Sequence, residues 1–142
     1  MKHILFSAGI SLALFATPAL ASNFADSSTL KQCLDNSGGV TTQMRRCLAA
    51  EIELWDTRRE TSIILLEPLL KQRKTEQSED PVKVFAAART AWQSYRENHC
   101  GWYFGRTGGT IDFIDAASCW LELTAHRALE LETLLELELT ER

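Results

Sequence analysis

The chain has 142 residues, 45% of them hydrophobic, which suits one domain with a single core rather than two. Its 15 basic and 19 acidic side chains leave a net charge of −4. A nucleic-acid binder carries a basic surface, so that class is disfavoured, while a basic protein partner is permitted.

Residues 1–21 read as a cleavable export signal. Met1-Lys2-His3 is a short basic start, and Ile4 to Ala16 is an apolar run of about 13 residues, short of the roughly 20 that a membrane-spanning helix needs. Ala19 and Ala21 stand where signal peptidase requires small residues, so cleavage is expected after Ala21. An uncleaved anchor is the rival reading. No cysteine stands at the cleavage point, which disfavours a lipoprotein. Removing 21 of the 142 residues leaves 121, and the loss of Lys2 takes the net charge to −5. The expected location is the bacterial periplasm or the medium. Residues 22–29 are small and polar and read as a flexible leader to a single domain over residues 30–142.

Leu30 to Leu34 has room for one helical turn, closed by the turn cluster Asp35-Asn36-Ser37-Gly38-Gly39. Thr41 or Thr42 offers an N-cap to a long first helix whose apolar face is Met44, Leu48, Ile52, Trp55, Ile63, Leu66, Leu69 and Leu70. Pro68 is expected to kink that helix or end it near Glu67, because proline lacks the N–H and crowds the preceding turn. Residues 71–79 are charged and polar, a connector. Asp80-Pro81 places a cap before a proline at the first helical position and opens a second helix. Its expected apolar face is Val84, Phe85, Ala88, Trp92 and Tyr95, and it ends near Cys100.

Residues 101–109 read as a loop. Thr110 is the expected cap of a third helix, with Asp112 and Asp115 in its first turns, where the helix dipole favours acids. Phe113, Ala117, Trp120, Leu121, Ala128, Leu131, Leu134 and Leu135 follow. Residues 129–139 nearly alternate Leu and Glu, a strand-like period, yet both are strong helix formers and no turn signal intervenes. The fold class is therefore all-α: an antiparallel three-helix bundle with a short N-terminal helical turn, stapled by two disulfides.

The staples follow from export. Cys33, Cys47, Cys100 and Cys119 make an even count in a chain bound for an oxidising compartment. The bundle order puts all four toward one end. The preferred pairs, Cys33–Cys47 and Cys100–Cys119, close the short local loops, and the crossed pairings stay open. A zinc site drawing on these cysteines and His99 is the weaker alternative, since no C-x-x-C spacing occurs. No cofactor and no metal are expected.

Three groups of residues then form an ordered pattern. Cys33, Thr42-Gln43-Met44, Cys47 and Asp56 come first. Ala91-Trp92-Gln93-Ser94-Tyr95-Arg96 and Cys100 follow. Gly108-Gly109-Thr110, Cys119 and Thr124-Ala125-His126-Arg127 complete it. Over roughly residues 30–131 the chain resembles the LprI-like lysozyme inhibitor N-terminal domain family, small exported bacterial domains. The resemblance implies an all-helical fold, an envelope location and, for some relatives, inhibition of lysozyme. Where relatives carry Leu-Asn and then a tyrosine after the aspartate, this chain has Arg59-Glu60 and Ile63.

Several residues invite a functional reading. Glu122 and His126, four apart on one helix face, have the spacing of an acid–base couple or a surface ion pair, and the ion pair is favoured. No nucleophile elbow, zinc-protease motif or paired-carboxylate motif occurs, so an enzyme is not expected. Asp56, Arg127 and Arg96 fall among apolar neighbours. At 1.5 Å per residue Asp56 lies about 20 Å along its helix, level with Arg127, so an Asp56–Arg127 ion pair fixing helix register is expected, with Arg96 serving the disulfide end. Trp55, Trp92, Tyr95 and Trp120 are assigned to the core.

The loop Trp102-Tyr103-Phe104, with Arg106 beyond it, joins the residue types that dominate interface hot spots. These aromatics either fold over the bundle end and cover the core, which is favoured, or form a partner-binding surface. A protein partner is expected, with lysozyme the candidate: lysozyme is basic with an acidic cleft, so an acidic inhibitor is steered toward it and Arg106 is placed to enter. The alternative is an envelope interaction module with another partner, or a homodimer joined along the leucines of residues 129–139.

Overall fold

The computed structural model describes residues 27–73 and 79–141. Within them lie four helices and no strand: α1 (Ser28–Asn36), α2 (Thr41–Gln72), α3 (Pro81–Gly101) and α4 (Ile111–Thr140). The all-α bundle expected from the sequence is what the chain forms. The export signal at residues 1–21, most of the leader and most of the connector lie outside the described residues.

Local chemistry sets most helix ends. Ser27 caps α1, its Oγ accepting from the Leu30 amide at 3.0 Å. The helix therefore begins two residues before Leu30, and Ser28 and Thr29 belong to it rather than to the leader. Gly38 (φ 58°) and Gly39 (φ 79°) then turn the chain left-handed into α2, a conformation only glycine adopts without strain. The expected threonine cap of α2 is not formed. Val40 is the N-cap residue, and the Thr41 hydroxyl instead reaches the Thr110 hydroxyl at 3.4 Å. Thr110 likewise makes no side-chain cap. Asp80 caps α3 as expected, accepting from the Val82 amide at 2.9 Å.

Pro68 neither ends nor interrupts α2, which continues to Gln72. Pro68 lies exposed, as does Ile64, the residue four back whose carbonyl loses its usual donor, so water can take the donor's place. On the opposite side Leu66 and Leu70 are buried against Phe85 and Leu131, which holds the last turns in line.

The topology is up-down-up. α2 and α4 start together at the Thr41–Thr110 contact and share the most extensive interface in the molecule. Arg58 donates in fork fashion to Glu132 at 2.8 and 2.7 Å midway, and Arg73 meets Glu138 at 2.9 Å near the other end. α3 runs antiparallel against both. α1 doubles back on the first turns of α2, where Leu30 enters a core of Cys47, Leu48, Trp55, Leu121, Ala125 and Ala128. A second core joins Ile63, Leu66, Leu70, Phe85 and Leu131. Each fully buried leucine or isoleucine contributes roughly 1.5–3 kcal/mol.

The apolar face expected for α3 is rotated from the true one. Val84, Ala88 and Tyr95 are exposed, Tyr95 at 52%. The inward positions are Phe85, Arg89, Trp92, Arg96 and Cys100, at helical spacing, and two of them are arginines. Counting only apolar residues therefore misplaces the face by about one position. Trp55 is buried, Trp92 and Trp120 are half-buried, and Tyr95 leaves the core assignment. On α4 Leu131 is buried while Leu137 and Leu139 stay exposed. No helix among the described residues is long and apolar enough to cross a membrane.

Candidate functional site

Cys33 is bonded to Cys47, and Cys100 to Cys119, with Cα separations of 5.7 and 5.5 Å. Both bridges lie toward the end where α2 and α4 begin. With all four sulfurs bonded, the zinc alternative has no thiolate to draw on. Among the described residues no group of three or more His, Cys, Asp or Glu is placed to hold a metal.

The Cys100–Cys119 bridge sets a level. Cys119 is eight residues into α4, about 12 Å from its start. The last turn of α3 therefore stops short of the bundle end, and residues 102–110 climb the remaining distance as a loop. Asp112 fixes that loop from below. It is 2% exposed, and its carboxylate accepts from the Thr107 hydroxyl at 2.7 Å, the Thr107 amide at 2.9 Å and the Gly108 amide at 2.9 Å. The Thr107 hydroxyl bond, then the two amides and the Arg106 charge, hold the carboxyl below its ordinary pKa of 3.8, against the opposing effect of burial. Arg106 is tied to Asp115 by an ion pair. The guanidinium expected to enter a partner is thus already engaged by α4.

The aromatics do not cover the core. Trp102 is 66% and Phe104 54% exposed, and Tyr103 is half-buried. Their rings contact one another at the surface. Trp102 meets Tyr103 edge-on at 5.3 Å, and Tyr103 meets His99, which stacks on Tyr95 at 5.2 Å. Phe104 packs edge-on against Phe113 at 6.0 Å, and the Arg45 guanidinium lies over the Phe113 ring at 4.9 Å. Val40 and Ile111, flanking the Thr41–Thr110 contact, are also exposed. The disulfide end thus carries exposed apolar side chains beyond those of the loop alone. Sequence reasoning missed the contribution of α2, because Val40 and Arg45 are about 60 residues away from the loop in the chain.

The ion network differs from expectation. Asp56 pairs with Arg96 at 3.1 Å and with Arg59 at 3.0 Å, whereas Arg127 pairs with Glu130 on its own helix at 3.0 Å. The cause is the level set by Cys100–Cys119. Because α3 stops about 12 Å inside the bundle end, Arg96, one turn earlier, lies some 18 Å deep, level with Asp56. Arg96 is almost buried. Its guanidinium stacks over Trp92 at 4.6 Å and Trp120 at 4.5 Å and donates to the Thr124 hydroxyl at 2.8 Å. Its Nε has no hydrogen-bond partner among the described residues. This cluster joins three helices.

His99, Tyr103, Arg106, Asp115 and Glu122 line an open cleft of about 400 Å³ beside the loop. Glu122 and His126 both lie exposed on α4.

Searches of curated proteins and of solved structures returned no match. The family model described as "Lysozyme inhibitor LprI" matches residues 33–131, well over half the chain, from the first bridging cysteine to the buried Leu131. The chain belongs to the lysozyme inhibitor LprI family.

Proposed function

We propose that this protein is an exported, non-catalytic binding protein that inhibits a lysozyme by seating its disulfide-clamped aromatic end against the muramidase cleft. The observation that carries this reading is the exposure of Trp102 and Phe104 on a loop fixed by Cys100–Cys119, Asp112 and the Arg106–Asp115 pair. Large exposed aromatics on a rigid base are the arrangement that binds a protein with little ordering cost. Family membership supplies the candidate partner. The chain's net charge of −4 favours encounter with a basic enzyme.

The test is a peptidoglycan-clearing assay with the protein titrated against a purified lysozyme. Inhibition that saturates at equimolar protein supports the proposal. Full enzyme activity at micromolar concentrations of the folded protein sinks it. Trp102→Ala with Phe104→Ala should weaken inhibition at least tenfold, the loss of about 1.4 kcal/mol or more expected of a hot-spot pair.

The exposure of Leu137 and Leu139 favours a second reading, an envelope interaction module that self-associates along α4. Sedimentation at several concentrations decides it. A monomer at 100-fold dilution and at stock concentration alike removes this reading.

A further inference from the structure

We infer that Arg45, held over the Phe113 ring, is the cationic anchor of the binding end and takes a carboxylate that the partner presents in apolar surroundings. This inference rests on the proposed binding function and names the chemistry of its contact.

Charge accounting at the disulfide end singles out the residue. Beside α1, where Lys31 pairs with Asp35, the segments 37–47 and 101–119 of that end contain Arg45, Arg46, Arg106, Asp112 and Asp115 as their charged side chains. Asp112 is satisfied by Thr107 and Gly108, and Asp115 by Arg106. Neither Arg45 nor Arg46 forms an ion pair among the described residues, and both are exposed. The end of an acidic protein is thus locally cationic. α2 and α4 both begin there, so their unpaired amides add to the positive field.

Arg45 differs from Arg46 in what lies beneath it. Its guanidinium is 4.9 Å from the centroid of Phe113, and Phe113 touches Phe104. An arginine stacked on a ring loses little freedom on binding and keeps its edge donors aimed outward. The two helix starts also bring Val40, Ile111 and Phe104 to this end, 47%, 51% and 54% exposed in the free protein. A carboxylate docking here would be shielded from water by those side chains, which strengthens the pair. A partner with a carboxylate at the base of an apolar-walled cleft fits, and a partner with a cation there is repelled.

The experiment measures binding of the full disulfide-bonded protein to a purified lysozyme immobilised on a sensor surface. Arg45→Glu should weaken binding roughly thirtyfold or more, and Arg45→Gln roughly tenfold. Arg46→Glu, an equal charge change one residue away, should stay within about threefold. The Arg45→Glu deficit should shrink as salt rises toward 0.5 M. Equal losses from Arg45→Glu and Arg46→Glu would show a diffuse field and overturn the anchor, as would no loss from Arg45→Gln while wild type binds. Absence of binding by wild type itself defeats the proposed function before any variant is compared, and the anchor with it.

Discussion

Arg96 on α3 donates to Asp56 on α2 across 3.1 Å. The same Nη1 reaches Thr124 on α4, and the guanidinium is stacked over Trp92 and Trp120, so one side chain ties three helices together. Removing it leaves Asp56 to Arg59 and opens a void between two indoles. Arg96→Ala should cost about 2–5 kcal/mol in urea denaturation, the loss typical of truncating a large buried side chain and leaving a cavity. Asp56 is one-third exposed, so Asp56→Asn should cost only about 1 kcal/mol. Equal costs for the two would mean that the ion pair, rather than the stacking, carries the effect.

The two disulfides should be similar in stability and different in function. They bridge sequence separations of 14 and 19 residues, and each stabilises by roughly 3 kcal/mol in the chain-entropy model. Paired Cys→Ser replacement at either bridge should lower the denaturation midpoint comparably. Only loss of Cys100–Cys119 releases the base of the aromatic loop, so only that variant should also lose partner binding while still folded. Titration of both variants under strongly native conditions separates the two effects.

Asp112 makes the loop acid-sensitive. Its carboxyl is held below 3.8, so the ionised form is favoured by folding. Its contribution is complete above about pH 4 and disappears as pH falls through the lower folded-state value. Asp112→Asn should therefore be less stable than wild type at neutral pH, and the gap should close below about pH 4. Urea titrations at pH 7, 4 and 2.5 check this. A gap that widens on acidification contradicts the assignment.

Pro68 is a stability reserve. It sits inside a continuous helix, exposed, with no described contact that requires its ring. Pro68→Ala restores an amide donor to α2 and should raise stability by about 1–3 kcal/mol. Thermal denaturation followed by circular dichroism measures it.

The helices were legible because their signals are local. Asp80-Pro81, the glycine pair before α2 and the three- and four-residue apolar spacing each act within a few residues. The failures share a cause. The inward face of α3 contains Arg89 and Arg96, which pair with groups on other helices, so no apolar count locates them. The Asp56–Arg127 expectation failed because Arg96 lies deeper than a helix ending at the bundle end would put it, and takes the carboxylate. The offset of α3 is fixed by the Cys100–Cys119 bridge, a long-range constraint. The proposed binding end was half legible. Its loop aromatics stand out in the sequence, while Val40, Arg45 and Phe113 join them only through the meeting of two helix starts.

Both covalent bridges lie toward one end of the bundle, and among the described residues the other end is joined by side-chain packing around Leu70 and Phe85 and by the Arg73–Glu138 and Arg89–Glu67 pairs. The molecule is therefore clamped like a tuning fork, covalently at the stem and by side-chain contacts at the tines. Local opening should begin where the tines separate, with amide exchange fastest in the last turns of α2 and α4 and slowest around Cys47 and Cys119. Heat or denaturant would loosen the far half first, and the surface proposed to meet a partner would be the last to lose its shape.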